Sequence, residues 1–297
     1  MYLVLGGTNT PLLERIQIVC NEQSESIVSL VHLDSKIVFA WSFDSKDSNS
    51  VVEAAMGVRL GEQEITGVLV QKPPRLDPAA DFGEQAEHSQ MERNAVIFAW
   101  FWSLPCPVIN RCSPVFWFAP RAPLSFWKPL VVKCGLRTVD SVFSNVESEL
   151  RAFASDHNGN VSYSPLCDCE IYRIASENDW DGLNKMAAIC PVNLVSIPAP
   201  LYSACVVGGE VFWNTTVIPP YFDTEDRLRK LAVLAGLDFL EVRLAIGKDF
   251  LRVVAVEAFP DLGGFNEESI RKIAETLIKL LQSSGTLVPS GPVRRRI

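Results

Sequence analysis

Few residues in this chain have the types and spacing that chemistry demands. The glycines that end the first apolar run, in "MYLVLGGTNTPLLERI", form the kind of strand-to-helix turn whose backbone N–H groups can cradle phosphate. The stretch lacks the third glycine and the downstream acidic residue of a dinucleotide fingerprint, so Gly6 and Gly7 read as a tight turn, with a substrate-facing loop as the alternative. The histidines, His32, His88 and His157, stand apart from one another and leave little for a histidine metal site or a catalytic dyad. Cys167-Asp-Cys169 is the one close cysteine pair, and its spacing is not that of zinc knuckles or redox motifs; the cysteines read as reduced, partly buried thiols. No nucleophile elbow and no phosphate loop ending in Gly-Lys-Ser/Thr is present.

The elements that must position any site follow from composition and periodicity. At 297 residues, 48% hydrophobic and 21% charged, the chain has material for a large core in two or three subdomains. A net charge of -8 argues against nucleic acid and anionic membranes as partners, and the basic run Arg294, Arg295, Arg296 reads as a solvated end. No basic region precedes the first apolar run, and no stretch reaches the ~18 apolar residues of a membrane span, so a cytoplasmic location is expected.

Residues 1–120 alternate apolar strands ("YLVLG", "SIVSLVHL", "KIVFAWSF", "ITGVLVQ", "PVINR") with helices, which implies an open α/β domain. In "MERNAVIFAWFWSLP", Val96, Ala99, Trp100 and Trp102 with neighbouring aromatics suggest a buried helix rather than a strand. Residues 121–220 read as a small α+β domain: a helix at "KPLVVKCGL", a strand, a helix capped near Asn145, short strands, and a hairpin turning at Gly208-Gly209. Residues 221–297 read as helix, strand "FLEVRLAI", a turn at 247–249, strand "FLRVVAVEAF", and a closing helix with Ile270, Ile273, Ala274, Leu277, Leu280 and Leu281 facing inward. The aromatic run from Phe98 to Trp127 packs between domains or lies at a subunit interface.

The order "PVINR", "KPLVVKCGL", "NVESELRAF", "VVGGEVFW", "LAVLAGLDFLEVRLAI", "RVVAVEAFPDLGGF" resembles the ATP-grasp superfamily, in particular the branch of ribosomal-protein glutamate ligases and microviridin-type peptide ligases. The resemblance covers nearly the whole chain. It implies three domains, with ATP clamped between the second and third, and ligation of a carboxylate to an amine through an acyl phosphate.

The resemblance also implies cations at the phosphates and oxygen ligands for magnesium. Lys128 matches the first lysine of that branch, whereas Ser164 stands at the second lysine, Ser196 at a glutamine or glutamate, and Ser203 at an arginine. Arg243 falls at the metal-binding aspartate, and Ala255 and Glu257 fall on the Glu-x-Asn pair. A one-residue slip would offer Glu241 as a ligand, but Glu241 and Arg243 share a strand face. Two functions follow from the resemblance. One is a catalytically degenerate ATP-grasp-like protein that needs no cofactor and holds a peptide or a paralogous ligase as partner, as an oligomer. The other is an active Mg-ATP-dependent ligase with a rearranged metal site. Lys128 and Glu257 are the candidate cofactor contacts. Pairing of the last two strands would bring Arg243 and Glu257 together as an internal ion pair.

Overall fold

The computed structural model describes residues 1–6, 10–23, 25, 27–30, 38–43, 48–53, 59–73, 86–111, 113–118, 121–166, 171–198, 200–215, 223–246 and 250–283. Gly7, the Cys167/Cys169 pair, the 247–249 turn and the arginine tail lie outside the described residues. The chain forms two compact units: Met1–Pro120 with Gly236–Phe239 and Phe259–Ile297, and Arg121–Ala235 with Leu240–Ala258.

The first unit begins with β1 (Tyr2–Leu5), wholly buried, and α1 (Pro11–Glu22). Thr10 caps α1 by accepting from the Leu13 N–H, and Pro11 opens it at a position where no N–H is missed. Gly6 has φ +76°, and a Cβ there would lie 1.9 Å from the Lys72 carbonyl oxygen. Glycine at that position is therefore demanded by packing rather than by a phosphate. β2 (Ile27–Leu30) follows, then β3 (Val38–Phe43), β4 (Ser48–Glu53), β5 (Arg59–Gly61) and β6 (Gly67–Val70). α2 (Ala86–Ser103), β7 (Val108–Ile109) and α3 (Pro114–Phe118) complete the N-terminal segment.

β2, β1, β6 and β7 make a parallel sheet, the open α/β core that the sequence implies. β3 is not part of it. It pairs antiparallel with β4, and β4 with β5, in a separate sheet whose second and third strands carry too mixed a pattern to read. The inward face of α2 is Ile97, Trp100, Phe101 and Leu104, just beyond its end, whereas Val96, Ala99 and Trp102 are exposed. With apolar residues on every side, periodicity there left the phase of the helix undetermined.

The second unit opens with α4 (Leu124–Lys133), β8 (Arg137–Thr138), β9 (Asp140–Ser144) and α5 (Glu147–Asp156). Asn145 does not cap α5. The Ser144 hydroxyl accepts from the Val146 N–H at 3.0 Å and lies 2.5 Å from a Glu149 carboxylate oxygen. β10 (Ser162–Tyr163), β11 (Tyr172–Arg173), α6 (Glu177–Ala187) and β12 (Val192–Ser196) follow. α6 escaped the sequence reading although Ser176 and Asp179 form a capping box. The antiparallel sheet β11-β10-β12-β9 buries Val192 and Leu194 against Leu150, Ala154 and Leu183 of α5 and α6.

β13 (Leu201–Val207) and β14 (Glu210–Trp213) form the expected hairpin, with positive φ at both Gly208 and Gly209 as a primed turn requires. α7 (Thr224–Ala235), β15 (Phe239–Ile246) and β16 (Leu251–Glu257) complete a second sheet, ordered β14-β13-β15-β16-β8. The chain then returns to the first unit with α8 (Glu267–Gln282), capped by Asn266 and packed on α1, β6 and β7. Its buried face is the expected one, except that Leu280 is half-buried and Ile278 is buried. Inside this unit Asn110, at φ 57°, is wholly buried, and its carboxamide bridges both backbone groups of Phe239 at 2.7 and 2.9 Å.

Candidate functional site

One face of the five-stranded sheet collects most of the sequence-predicted residues. β15 and β16 place Glu241 opposite Glu257 and Arg243 opposite Ala255. Side chains alternate along a strand, so these residues share a face and Val242 and Val256 point to the other. On that other face, Trp213 donates its indole N–H to Glu225 of α7 at 3.2 Å, which marks it as the helix-covered side.

On the polar face, Arg243 Nη2 lies 2.9 Å from Glu257 Oε1, with the side chains 28% and 22% exposed. The internal ion pair implied by strand pairing is present. Glu241 is buried beside it, and on the neighbouring strand burial pushes the Cys205 thiol well above its usual range. The Glu241 carboxylate pushes that thiol the same way, and the Ile246 N–H donating to the Pro200 carbonyl sets a register of β13 on β15 that places Cys205 across from Glu241, on this face. Ser203, two residues earlier, has the same orientation, and its backbone N–H donates to Asn214 Oδ1 at 2.9 Å.

Magnesium takes about six oxygens at roughly 2.0–2.1 Å in octahedral geometry. Here the Glu257 carboxylate is engaged by a guanidinium, and Ala255 offers no ligand atom. Among the described residues no three His, Cys, Asp or Glu side chains gather as a metal site would require. This set of residues does not fit the metal, since a fixed protein cation already supplies the positive charge that the carboxylate faces.

Lys128 lies elsewhere in the unit, lining a pocket of about 330 Å³ with Leu124 and Ser125 of α4, Thr138, Ser141, Phe143, Leu166 and Asn193. Val142 and Leu194 pack into the core beneath the antiparallel sheet, so Ser141, Phe143 and Asn193 stand on its opposite face. The described lining contains none of Arg243, Ala255 or Glu257. Ser164, buried near the end of β10, donates its backbone N–H to the Asn193 carbonyl at 2.9 Å, and Ser196 pairs with Asp140 across β12 and β9. Asp140 in turn lies 2.5 Å from Arg252 Nη1. Phe143 and Asn193 went unremarked in the sequence, although an asparagine inside the apolar strand "CPVNLVSIP" was a visible signal.

No family model matches the chain, and no curated protein is significantly similar to it in sequence. Solved structures do resemble it. The macrocyclase MdnC bound with precursor peptide MdnA, from Microcystis aeruginosa MRC, matches with a TM-score of 0.72 at 14% identity, over 94% of this chain and 99% of its own. A Chryseobacterium gregarium RiPP-associated ATP-grasp ligase in complex with ADP and a leader and core peptide matches at 0.69 and 13% identity, over 96% and 97%. The ATP-grasp ligase PsnB complexed with minimal precursor, Mg and ADP matches at 0.69 and 17% identity, over 95% and 98%. The chain has the mixed α/β fold of the ATP-grasp ligases. Among the described residues, no helix is long and apolar enough to cross a membrane.

Proposed function

We propose that this chain is a peptide-binding protein on an ATP-grasp fold, without ligase chemistry of its own. Its partner is a peptide, and in a cell it serves as a cytoplasmic scaffold beside a paralogous ligase. The observation that carries this reading is the Arg243–Glu257 ion pair. In this reading Arg243 occupies the place of a metal-binding aspartate, and Ala255 and Glu257 the place of the Glu-x-Asn pair; the pairing of Arg243 with Ala255 supports that alignment. Ser164 and Ser203 stand where cations would meet phosphates, and a hydroxyl cannot neutralise a phosphate. The peptide partner is supported by the fold neighbours, since MdnC is bound with a precursor peptide and the Chryseobacterium ligase with leader and core peptides.

An oligomer is supported by the aromatic cluster of the first unit. Phe98 packs 5.5 Å from Trp117 and 6.0 Å from Trp102, and Trp102 and Phe118 remain exposed. Light scattering should report more than a monomer at tens of micromolar, and a monomer would remove that part of the reading.

A second reading, an active Mg-ATP ligase with a rearranged metal site, draws on the buried Glu241 carboxylate and the retained Lys128. Acyl-phosphate trapping separates the two. With MgATP, acidic peptides and hydroxylamine, a ligase releases ADP as the acyl phosphate forms, and hydroxylamine then displaces phosphate to give a hydroxamate. We expect neither above background; release of ADP that depends on the peptide would overturn the scaffold reading.

A further inference from the structure

The pocket beside α4 is built for a ligand that the ion-pair face does not explain. Asn193 is 6% exposed and lines the pocket, on the face of β12 turned away from the core. A carboxamide that lines a cavity beside a lysine and hydroxyls offers a ligand both a donor and an acceptor. Among the described lining residues Lys128 is the one cation, and none is a carboxylate. Leu124, Phe143 and Leu166 form an apolar wall, while Ser125, Thr138 and Ser141 add hydroxyls. The volume, about 330 Å³, is at the low end for ligand sites.

The geometry points to a metal-independent site for an N-acylated apolar amino acid with a free carboxylate, the chemistry of a peptide C-terminus. One ammonium matches a single negative charge, whereas a triphosphate carries several and needs further cations. Asn193 both donates and accepts, as recognition of a ligand amide requires. The apolar side chain of the ligand lies against Leu124, Phe143 and Leu166, where it excludes water from the carboxylate–Lys128 contact. The assignment of the source to a peptide rests on the peptide-binding reading above; the pocket chemistry does not.

The test is calorimetric titration of the full chain with the tripeptide Ala-Ala-Phe, its C-terminal amide, and 3-phenylpropionate. We expect the free tripeptide to bind, the amide to bind about tenfold or more weakly for want of a charge-assisted contact, and a chelator to leave both unchanged. Lys128→Met, at an exposed position, should weaken the tripeptide by a similar factor, and Lys128→Arg should restore part of it. Asn193→Leu, accepted only with an unchanged melting curve, should abolish the preference for the tripeptide over 3-phenylpropionate. Equal binding of acid and amide, or no effect of Lys128→Met, would overturn the site. Equal binding of 3-phenylpropionate and the tripeptide to the unaltered chain would overturn the role of Asn193. Failure here with no ADP release in the trapping assay leaves the scaffold reading intact, whereas displacement of the tripeptide by MgATP would overturn both.

Discussion

Replacing Arg243 with alanine should cost far more stability than any ordinary surface arginine. The substitution leaves the Glu257 carboxylate in place, 22% exposed, without the guanidinium now 2.9 Å away. Exposed pairs are worth about 0–1 kcal/mol, whereas breaking a fully buried pair costs about 3–5 kcal/mol. Exposures of 28% and 22% place this pair between the limits but nearer the buried one, so we expect a loss of about 2–3 kcal/mol. For domains of this size that corresponds to roughly 4–12 °C in Tm. Urea titration followed by tryptophan fluorescence would measure it, with Trp127, Trp180 and Trp213 reporting on the second unit. Lys272→Ala, which breaks an exposed i,i+4 pair with Glu268, is the control and should stay within about 0.5 kcal/mol. The double change Arg243→Met with Glu257→Leu should recover most of the loss, because apolar residues replace a desolvated pair at little cost. An Arg243→Ala protein as stable as the control, or a double variant no better than the single one, would refute the claim that this pair is an internal structural substitute for an ion.

Two further predictions concern the first unit. Asn110→Ala should destabilise by about 3–5 kcal/mol, because it strands both backbone groups of Phe239 and puts alanine at φ 57°; Asn110→Gly should recover about 1 kcal/mol by removing the backbone strain alone, and equal losses in urea titration would contradict that division. Asp238 is half-buried, and the desolvation raises its carboxyl above the usual value of 3.8 against the opposing pull of the Asn110 N–H and Arg111. The folded chain therefore holds that proton more tightly than the unfolded chain does, and the stability due to this group is present below pH ~4 and lost as pH rises through the raised value. Asp238→Asn should remove this loss, so its stability relative to the unaltered chain should grow with pH across that window; a flat difference would contradict the shift.

Local rules made much of the fold legible. Period-two alternation in "FLEVRLAI" and "FLRVVAVEAF" put Arg243 and Glu257 on one face, and the Gly208-Gly209 turn and the apolar stripe of α8 followed from equally short-range patterns. What stayed hidden depends on distant partners. The β3-β4-β5 sheet is defined by pairing rather than by its own pattern, and α2 is apolar on too many sides to declare its phase. The return of residues 259–297 to the first unit brings together segments separated by most of the chain, as in the packing of α8 on α1. Asn193 acquires meaning only once Phe143 of β9 and Lys128 of α4 stand beside it around one cavity.

The central claim, that the ion-pair face has replaced the fold's metal chemistry, is tested most directly by thermal unfolding with and without MgATP. A ligand bound only by the folded state stabilises it by RT ln(1 + [L]/Kd), about 2.7 kcal/mol at ~100 Kd, or roughly 5–10 °C for domains of this size. A working nucleotide site at millimolar MgATP should reach that range. With Arg243 on Glu257 and no ligand atom at Ala255, the account predicts a shift below about 1 °C. A magnesium-dependent rise of several degrees in the unaltered chain would contradict it, because other residues would then be supplying the charges that this face lacks.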